Sequence, residues 1–333
     1  MNSFRIAISY ESRLGRNDGN PLYVHAFLKR LQYYSGIVSG KGEDSGLLRW
    51  FIEEKGDDDA KLLATEIWEK QQTFVEADHL APLDNVSLFG SYDLWLDVDW
   101  GEDGLTGLLP YEPIKLSHPL AVWVSDTHLG YEYRLKKAKQ ADYVFCAQKR
   151  AVQEFKRDGI ENPIWLPHAF EPLAYPKFDL ASKKFDVCFV GHVNSQNRLE
   201  ALNDLFKAFP NFYYGQRRFE EASRKFAESR ISFNIAMLDD INMRTFEVMG
   251  SGNFLLTNRI DTIEEFFLDK VHCALYSTPE EMIDVAQFYL AHESERNAIA
   301  EAGYQETKAR HKIADRVRVI LDTVMKPKEA LCK

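Results

Sequence analysis

Short apolar runs alternate along the chain with stretches in which apolar residues recur every three or four positions. The runs suit strands buried on both faces and the periodic stretches suit amphipathic helices, so the alternation predicts stacked β-α units around parallel sheets. In the first half, strands are expected over residues 5–9, 36–38, 94–98, 121–124, 143–146 and 164–166. A helix is expected over residues 23–34, where Val24, Phe27, Leu28 and Leu31 share one face, and another around residues 48–54. Around Pro167, Pro172 and Pro176 the pattern breaks, because proline suits neither a helix interior nor a central strand.

After that break the alternation restarts. Strands are expected at 185–190, 212–214, 231–236, 253–257 and 271–276, with helices around 199–209, 219–229 and from Met243. Thr278 can cap a further helix, with Pro279 in its first position and Glu281 completing a capping box. The reading is α/β with two Rossmann-like domains: residues 1–166, a linker at 167–184, and residues 185–333, whose last helix can pack back on the first domain. Parallel sheets of this kind bind ligands at the carboxyl ends of their strands, which here would face a central cleft.

Composition narrows the partners. The 333 residues carry 41 Lys and Arg against 51 Asp and Glu, a net charge of −10 that repels phosphate backbones and anionic lipid, so neither nucleic acid nor a membrane surface is expected as a partner. No apolar run approaches the ~18 residues of a membrane span, and the first residues read as a strand rather than a signal peptide, so a cytoplasmic location is expected. Cys146, Cys188 and Cys273 sit in apolar strand-like segments and read as buried hydrophobes, while Cys332 lies apart. P-loop, GxGxxG, HExxH and GxSxG motifs are all missing. The glycine-rich segment 101–107 carries acidic residues that would repel phosphate. Asp97 and Asp99, two apart in a strand, share one face and could hold a divalent cation, although such pairs are common by chance.

The densest constellation is Asp239-Asp240-Ile241-Asn242-Met243-Arg244-Thr245-Phe246-Glu247. With a helix starting near Met243, Asp239 lies in the entry loop and Glu247 just over one turn inside, so both carboxylates could face one ligand. A nucleotide sugar would suit this arrangement: the helix start attracts diphosphate, a carboxylate accepts from both ribose hydroxyls, and Arg244 adds positive charge. On spacing alone, an ordinary solvated helix is the favoured reading.

Several stretches resemble the CgeB-like glycosyltransferases: Phe189-Val190-Gly191-His192, then Asn242-Met243-Arg244-Thr245-Phe246-Glu247 running on to Gly252-Asn253-Phe254-Leu255-Leu256-Thr257, then Ala298-Ile299-Ala300-Glu301-Ala302-Gly303. In the first half, Trp123-Val124-Ser125-Asp126-Thr127-His128, Asp142-Tyr143-Val144-Phe145-Cys146-Ala147 and Trp165-Leu166-Pro167-His168-Ala169 are also similar to that family. The family is related to the family-4 retaining glycosyltransferases of the GT-B fold, whose Glu-x7-Glu motif falls on Asp239 and Glu247, aspartate replacing the first glutamate. The resemblance implies a ribose contact for Glu247, a donor-sugar contact for Asp239, and a donor-binding helix start at Asn242, Met243, Arg244 and Thr245. His192 and Arg198 occupy the region that holds the diphosphate.

Arg217 and Arg218 could face the base or phosphates, or form a solvated pair. Gly15, Gly19 and Asn20 follow the first strand, where backbone approaches the donor in this fold, and an ordinary loop is the alternative. Asp126 and His128 follow a strand expected to point into the cleft, so either could orient the sugar or deprotonate the acceptor; a helix-capping Asp126 is the alternative. The implied activity is transfer of a sugar from a nucleoside diphosphate donor to an unidentified glycan, protein or small-molecule acceptor, retaining, without metal or other cofactor. A nucleotide-sugar epimerase of the same architecture, or a catalytically silent carbohydrate- or nucleotide-binding protein, is the alternative.

Overall fold

The structure, a computed structural model, describes residues 2–9, 20–39, 58–79, 92–99 and 119–325. The chain divides into two compact units, Met1–Pro167 with Ile313–Lys333, and His168–Lys312.

The first unit runs β1 (Asn2–Ser9), α1 (Asn20–Ser39), α2 (Asp58–Gln71), β2 (Thr73–His79), β3 (Leu94–Asp99), β4 (Leu120–Val124), α3 (Tyr131–Ala138), β5 (Tyr143–Cys146), α4 (Lys149–Arg157) and β6 (Ile164–Trp165). Its strands pair in parallel in the order β2-β1-β3-β4-β5-β6. β4 is buried at every position, which is why its sequence, Leu-Ala-Val-Trp-Val, shows no polar alternation.

Two expectations fail here. Residues 36–38 are not a strand but the last turns of α1, a 20-residue helix in which Gly36 is tolerated near the end. The strand beside β1 is instead β2, whose Glu76 and Asp78 break the apolar run; it is an edge strand, and edges tolerate charge. The helix expected at 48–54, the segment 101–107, Gly15 and Gly19 lie outside the described residues.

The second unit runs β7 (Phe185–Val190), α5 (Gln196–Ala208), β8 (Phe212–Gly215), α6 (Phe219–Ala227), β9 (Ser229–Phe233), α7 (Met243–Gly250), β10 (Leu255–Asn258), α8 (Asp261–Glu264), β11 (Ala274–Tyr276), α9 (Pro279–Ala291) and α10 (Glu293–Arg310). The parallel sheet has the order β11-β10-β9-β7-β8. Val187, Phe189, Ile231, Phe233 and Leu256 build its core with Tyr289 of α9.

β11 begins three residues later than the apolar pattern suggests. Lys270 takes a left-handed turn and the Asp269 carboxylate accepts from the Leu275 N–H, so Val271 is left in the turn, exposed. At α9 the Thr278 hydroxyl accepts from the Glu281 N–H as expected, but the Glu281 carboxylate reaches back to the N–H of Ser277 rather than Thr278. The last helix, α11 (Ile313–Val324), returns to the first unit, where it packs on α1 and α2. Cys146, Cys188 and Cys273 are buried and unbridged. Among the described residues, no helix is long and apolar enough to cross a membrane.

Candidate functional site

In the second unit the chain moves from β7 to β8 on one side and returns with β9 on the other side of β7. The connections after β7 and β9 therefore lead away from each other, leaving a crevice at the carboxyl ends of these two strands. The sequence-flagged residues of this unit gather there, apart from Arg217, which lies one strand away.

After β7, the Ser195 hydroxyl caps α5 by accepting from the Arg198 N–H. Arg198 turns back over the loop: its Nη1 donates to the His192 carbonyl at 2.8 Å and to Asn194 Oδ1 at 2.6 Å, and its Nη2 donates to the Ile235 carbonyl at 3.2 Å. The guanidinium lies 5.8 Å from the centre of the Phe189 ring, and its Nε is buried without an acceptor. Burial, and then the charge of Arg244, hold its pKa below the ordinary guanidinium value. Two cations that raise each other's energy in this way favour an anion between them. The side chain of His192 is exposed and its carbonyl does the holding.

After β9, Leu238 and Asp239 both take the left-handed conformation, with φ of 55° and 56°, which strains non-glycine residues by about 1 kcal/mol or more each. The Asp239 carboxylate accepts from the Thr262 N–H at 3.4 Å, and its carbonyl accepts from the Thr262 hydroxyl at 2.7 Å. Asp239 thus ties the loop to the start of α8 and remains exposed.

α7 starts where expected because Asn242 is a strong N-cap: its Oδ1 accepts from the Thr245 N–H. Glu247 is only 3 % exposed, and its Oε2 lies 2.7 Å from Arg244 Nη1, a charge contact one turn apart rather than an aligned hydrogen bond. A carboxylate at that depth needs such a cation. Arg244 also lies over the Phe226 ring, 5.5 Å from its centre.

The sequence-flagged residues divide into two kinds. Arg198, Arg244 and Glu247 form a charged group at the crevice, with Met243 half-buried at the helix start. Thr245 is fully buried and the Asn242 amide is used internally, so both shape the site from behind. Arg217, past the end of β8, is exposed and donates to the Gln216 carbonyl. Sequence reasoning passed over Asn234, a buried amide beneath Asn242; a polar residue inside the apolar stretch 231–236 was the available signal.

In the first unit, Asp126 follows β4 with φ 47° and ψ 42° at the start of a single 3-10 turn, Thr127–Leu129. Its side chain makes no capping hydrogen bond to that turn. His128 is exposed. Asp97 Oδ2 lies 2.6 Å from Lys137 Nζ, so the carboxylate that a cation would need is paired within the protein. Among the described residues no cluster of three or more His, Cys, Asp or Glu could hold a metal.

Residues 179–322 match the sequence profile of a family described as Glycosyl transferase-like. No curated protein matches the chain in sequence. Solved structures similar to it include Anabaena Alr3699/HepE in complex with UDP and glucose, at 11% identity and a TM-score of 0.58, covering 97% of this chain and 99% of that one. Sucrose-phosphate synthase from Thermosynechococcus elongatus is similar at 11% identity and TM-score 0.55, with coverage of 97% and 99%. An alpha-glucosyltransferase in complex with UDP and a 13-mer DNA containing a HMU base is similar at 8% identity and TM-score 0.63, with coverage of 98% and 100%. The chain therefore has the fold of GT-B glycosyltransferases, two parallel α/β sheets with surrounding helices, and over residues 179–322 it is also similar in sequence to the Glycosyl transferase-like family. The epimerase alternative gains no support from these likenesses.

Proposed function

We propose that this chain is a glycosyltransferase whose second unit binds a nucleoside diphosphate sugar, of the UDP type found in the similar structures, and transfers its sugar to an acceptor. The observation that carries the reading is the charged group Arg198, Arg244 and Glu247 at the strand-order reversal between β7 and β9. The two guanidiniums and the start of α7 supply positive potential for the diphosphate and stabilise it as it departs, without a metal ion. The Glu247 carboxylate can accept from the two ribose hydroxyls. Asp239, on the strained loop, is assigned to the donor sugar, and Arg217 to the outer edge of the nucleotide.

Within this reading, Asp126 and His128 of the first unit act on the sugar or the acceptor. The CgeB-like subfamily and a retaining outcome rest on the sequence motifs. With a net charge of −10, a protein, glycan or small molecule suits the acceptor role better than DNA, and a cytoplasmic setting agrees with a nucleotide-sugar donor.

Calorimetry with UDP tests the donor site. Glu247→Ala should weaken binding about 10-fold or more, because it removes charge-assisted hydrogen bonds of ~1.5–3 kcal/mol each. Asp126→Ala and His128→Ala should leave UDP affinity intact and cut turnover by ~100-fold for whichever residue is a general acid or base. EDTA should leave turnover unchanged. Wild-type protein that binds no nucleotide, or Glu247→Ala that binds UDP normally, would overturn the assignment.

A further inference from the structure

Asn234, the first residue after β9, is 2 % exposed. Its Nδ2 faces Asn242 Oδ1 at 3.1 Å and the hydroxyls of Thr245 and Thr257 at 3.3 Å each. Asn242 answers through its own Nδ2, which donates to Asn234 Oδ1 and to the Ile235 carbonyl, both at 3.3 Å. That same Ile235 carbonyl accepts from Arg198 Nη2. One buried amide thus joins the N-cap of α7, its first turn, the end of β10 and, through one shared carbonyl, the arginine from the far side of the crevice.

The backbone around the pair fixes its direction. Asn242 turns its oxygen to the Thr245 N–H and its NH2 to the Ile235 carbonyl, so it caps α7 one way round. Asn234 matches that orientation at both ends, its NH2 meeting the Asn242 oxygen and its own oxygen taking the Asn242 NH2. The loop is fastened a second time two residues on, where the Asn258 side chain accepts from the Ala236 N–H at 2.7 Å and donates to the Ala236 carbonyl. Such networks specify one arrangement because each unmet partner would be costly in a buried site.

We propose that Asn234 is a positioning residue of the donor site: it holds the start of α7, and with it Arg244 and Glu247, in register with Arg198. It touches no ligand and acts through Asn242 and Ile235. The assignment rests on the nucleotide reading of this site for its purpose, but its geometry can be tested without a ligand.

The test uses Asn234→Asp, which keeps the shape but has no proton to donate when ionised, and Asn234→Leu, which is close in size and uncharged. Amide hydrogen exchange is followed without ligand, and UDP affinity is measured by calorimetry. Both variants should speed exchange about 10-fold at Arg244 and Thr245 while the amides of β7 and β10 stay protected, and both should bind UDP about 10-fold more weakly. Loss of general packing would instead loosen the whole sheet. Unchanged exchange at the start of α7 overturns the proposal, as does a loss of UDP affinity confined to Asn234→Asp, which would be an effect of charge alone. Faster local exchange in a protein whose wild type binds no UDP supports the positioning role and overturns the nucleotide reading. Should either variant fail to fold, Thr257→Val removes one anchor at constant shape and should move both readouts in the same direction; no movement overturns the proposal.

Discussion

A single missing side chain decides how closely α10 can approach α7 and the turn before β11. At Gly303 a Cβ atom would lie 2.2 Å from the His272 carbonyl oxygen, and backbone cannot swing aside as a flexible side chain can. Met249 of α7 lies on the same spot, 3.3 Å from that position. Gly303→Ala should therefore destabilise the second unit by about 1–3 kcal/mol, the range for overpacked cores, in spite of alanine's better helix propensity. Urea unfolding of the variant checks the sign; a stabilised protein would mean that α10 can shift. Gly250 is crowded by a side chain instead: a Cβ there would lie 2.5 Å from the ring of Phe170, which is itself buried.

Elements in the second unit are fastened by charge where their ends meet. Glu228, between α6 and β9, is buried, and its carboxylate accepts from Lys184 at 2.7 Å and Lys225 at 2.6 Å, while its carbonyl accepts from the N–H groups of Lys184 and Phe185 at the start of β7. Burial alone would push this carboxyl up, but the two lysines outweigh it and hold its pKa below the ordinary carboxylate value. The sign follows from linkage. A carboxyl whose pKa is lower in the folded than in the unfolded state contributes stability above the unfolded value, and that contribution is lost as pH falls through the folded one. Both lysines are partly solvated, so the contribution is modest and salt-sensitive. Between neutral pH and about pH 3, wild type should lose more urea stability than Glu228→Gln, with the gap opening below roughly pH 4.3, the ordinary glutamate value. Parallel stability curves for the two proteins would remove Glu228 from the acid response.

At the scale of the whole molecule, the chain enters the second unit at His168 and leaves it at Lys312, and α11 belongs to the first unit. Ile313, Val317, Ile320, Leu321 and Val324 are buried there, Arg318 pairs with Glu66 of α2, and Arg316 Nε donates to the Pro167 carbonyl at 2.8 Å. Fully burying an aliphatic side chain is worth about 1.5–3 kcal/mol, so five together match the ~5–15 kcal/mol by which a domain is stable. Ending the chain at Lys312 should therefore unfold the first unit while the second stays folded. Hydrogen exchange resolved along the sequence checks this: amides of β1 and β4 should lose protection and those of β7 and β9 keep it. Protection retained in β4 would show that the first unit's own core suffices.

The sequence by itself determined which segments become strands and helices wherever burial was complete. Leu120–Val124 and Val187–Val190 are apolar because central parallel strands meet helices on both faces, and Asn242 and Thr278 mark helix starts through short-range chemistry legible in a few residues. It missed β2 and misread the end of α1, because an edge strand may carry charge and a three-residue apolar run fits either element. The Asp239–Glu247 region was legible as a candidate through motif and spacing, but the spacing could not say that Glu247 is buried against Arg244 or that Asp239 is fastened to Thr262. Nor could it say that Arg198 from α5, Asn234 after β9 and Thr257 from β10 join one hydrogen-bond network at the start of α7. Contacts between residues distant in sequence leave no period in the chain, so only the tertiary structure could bring Asn234 into the site.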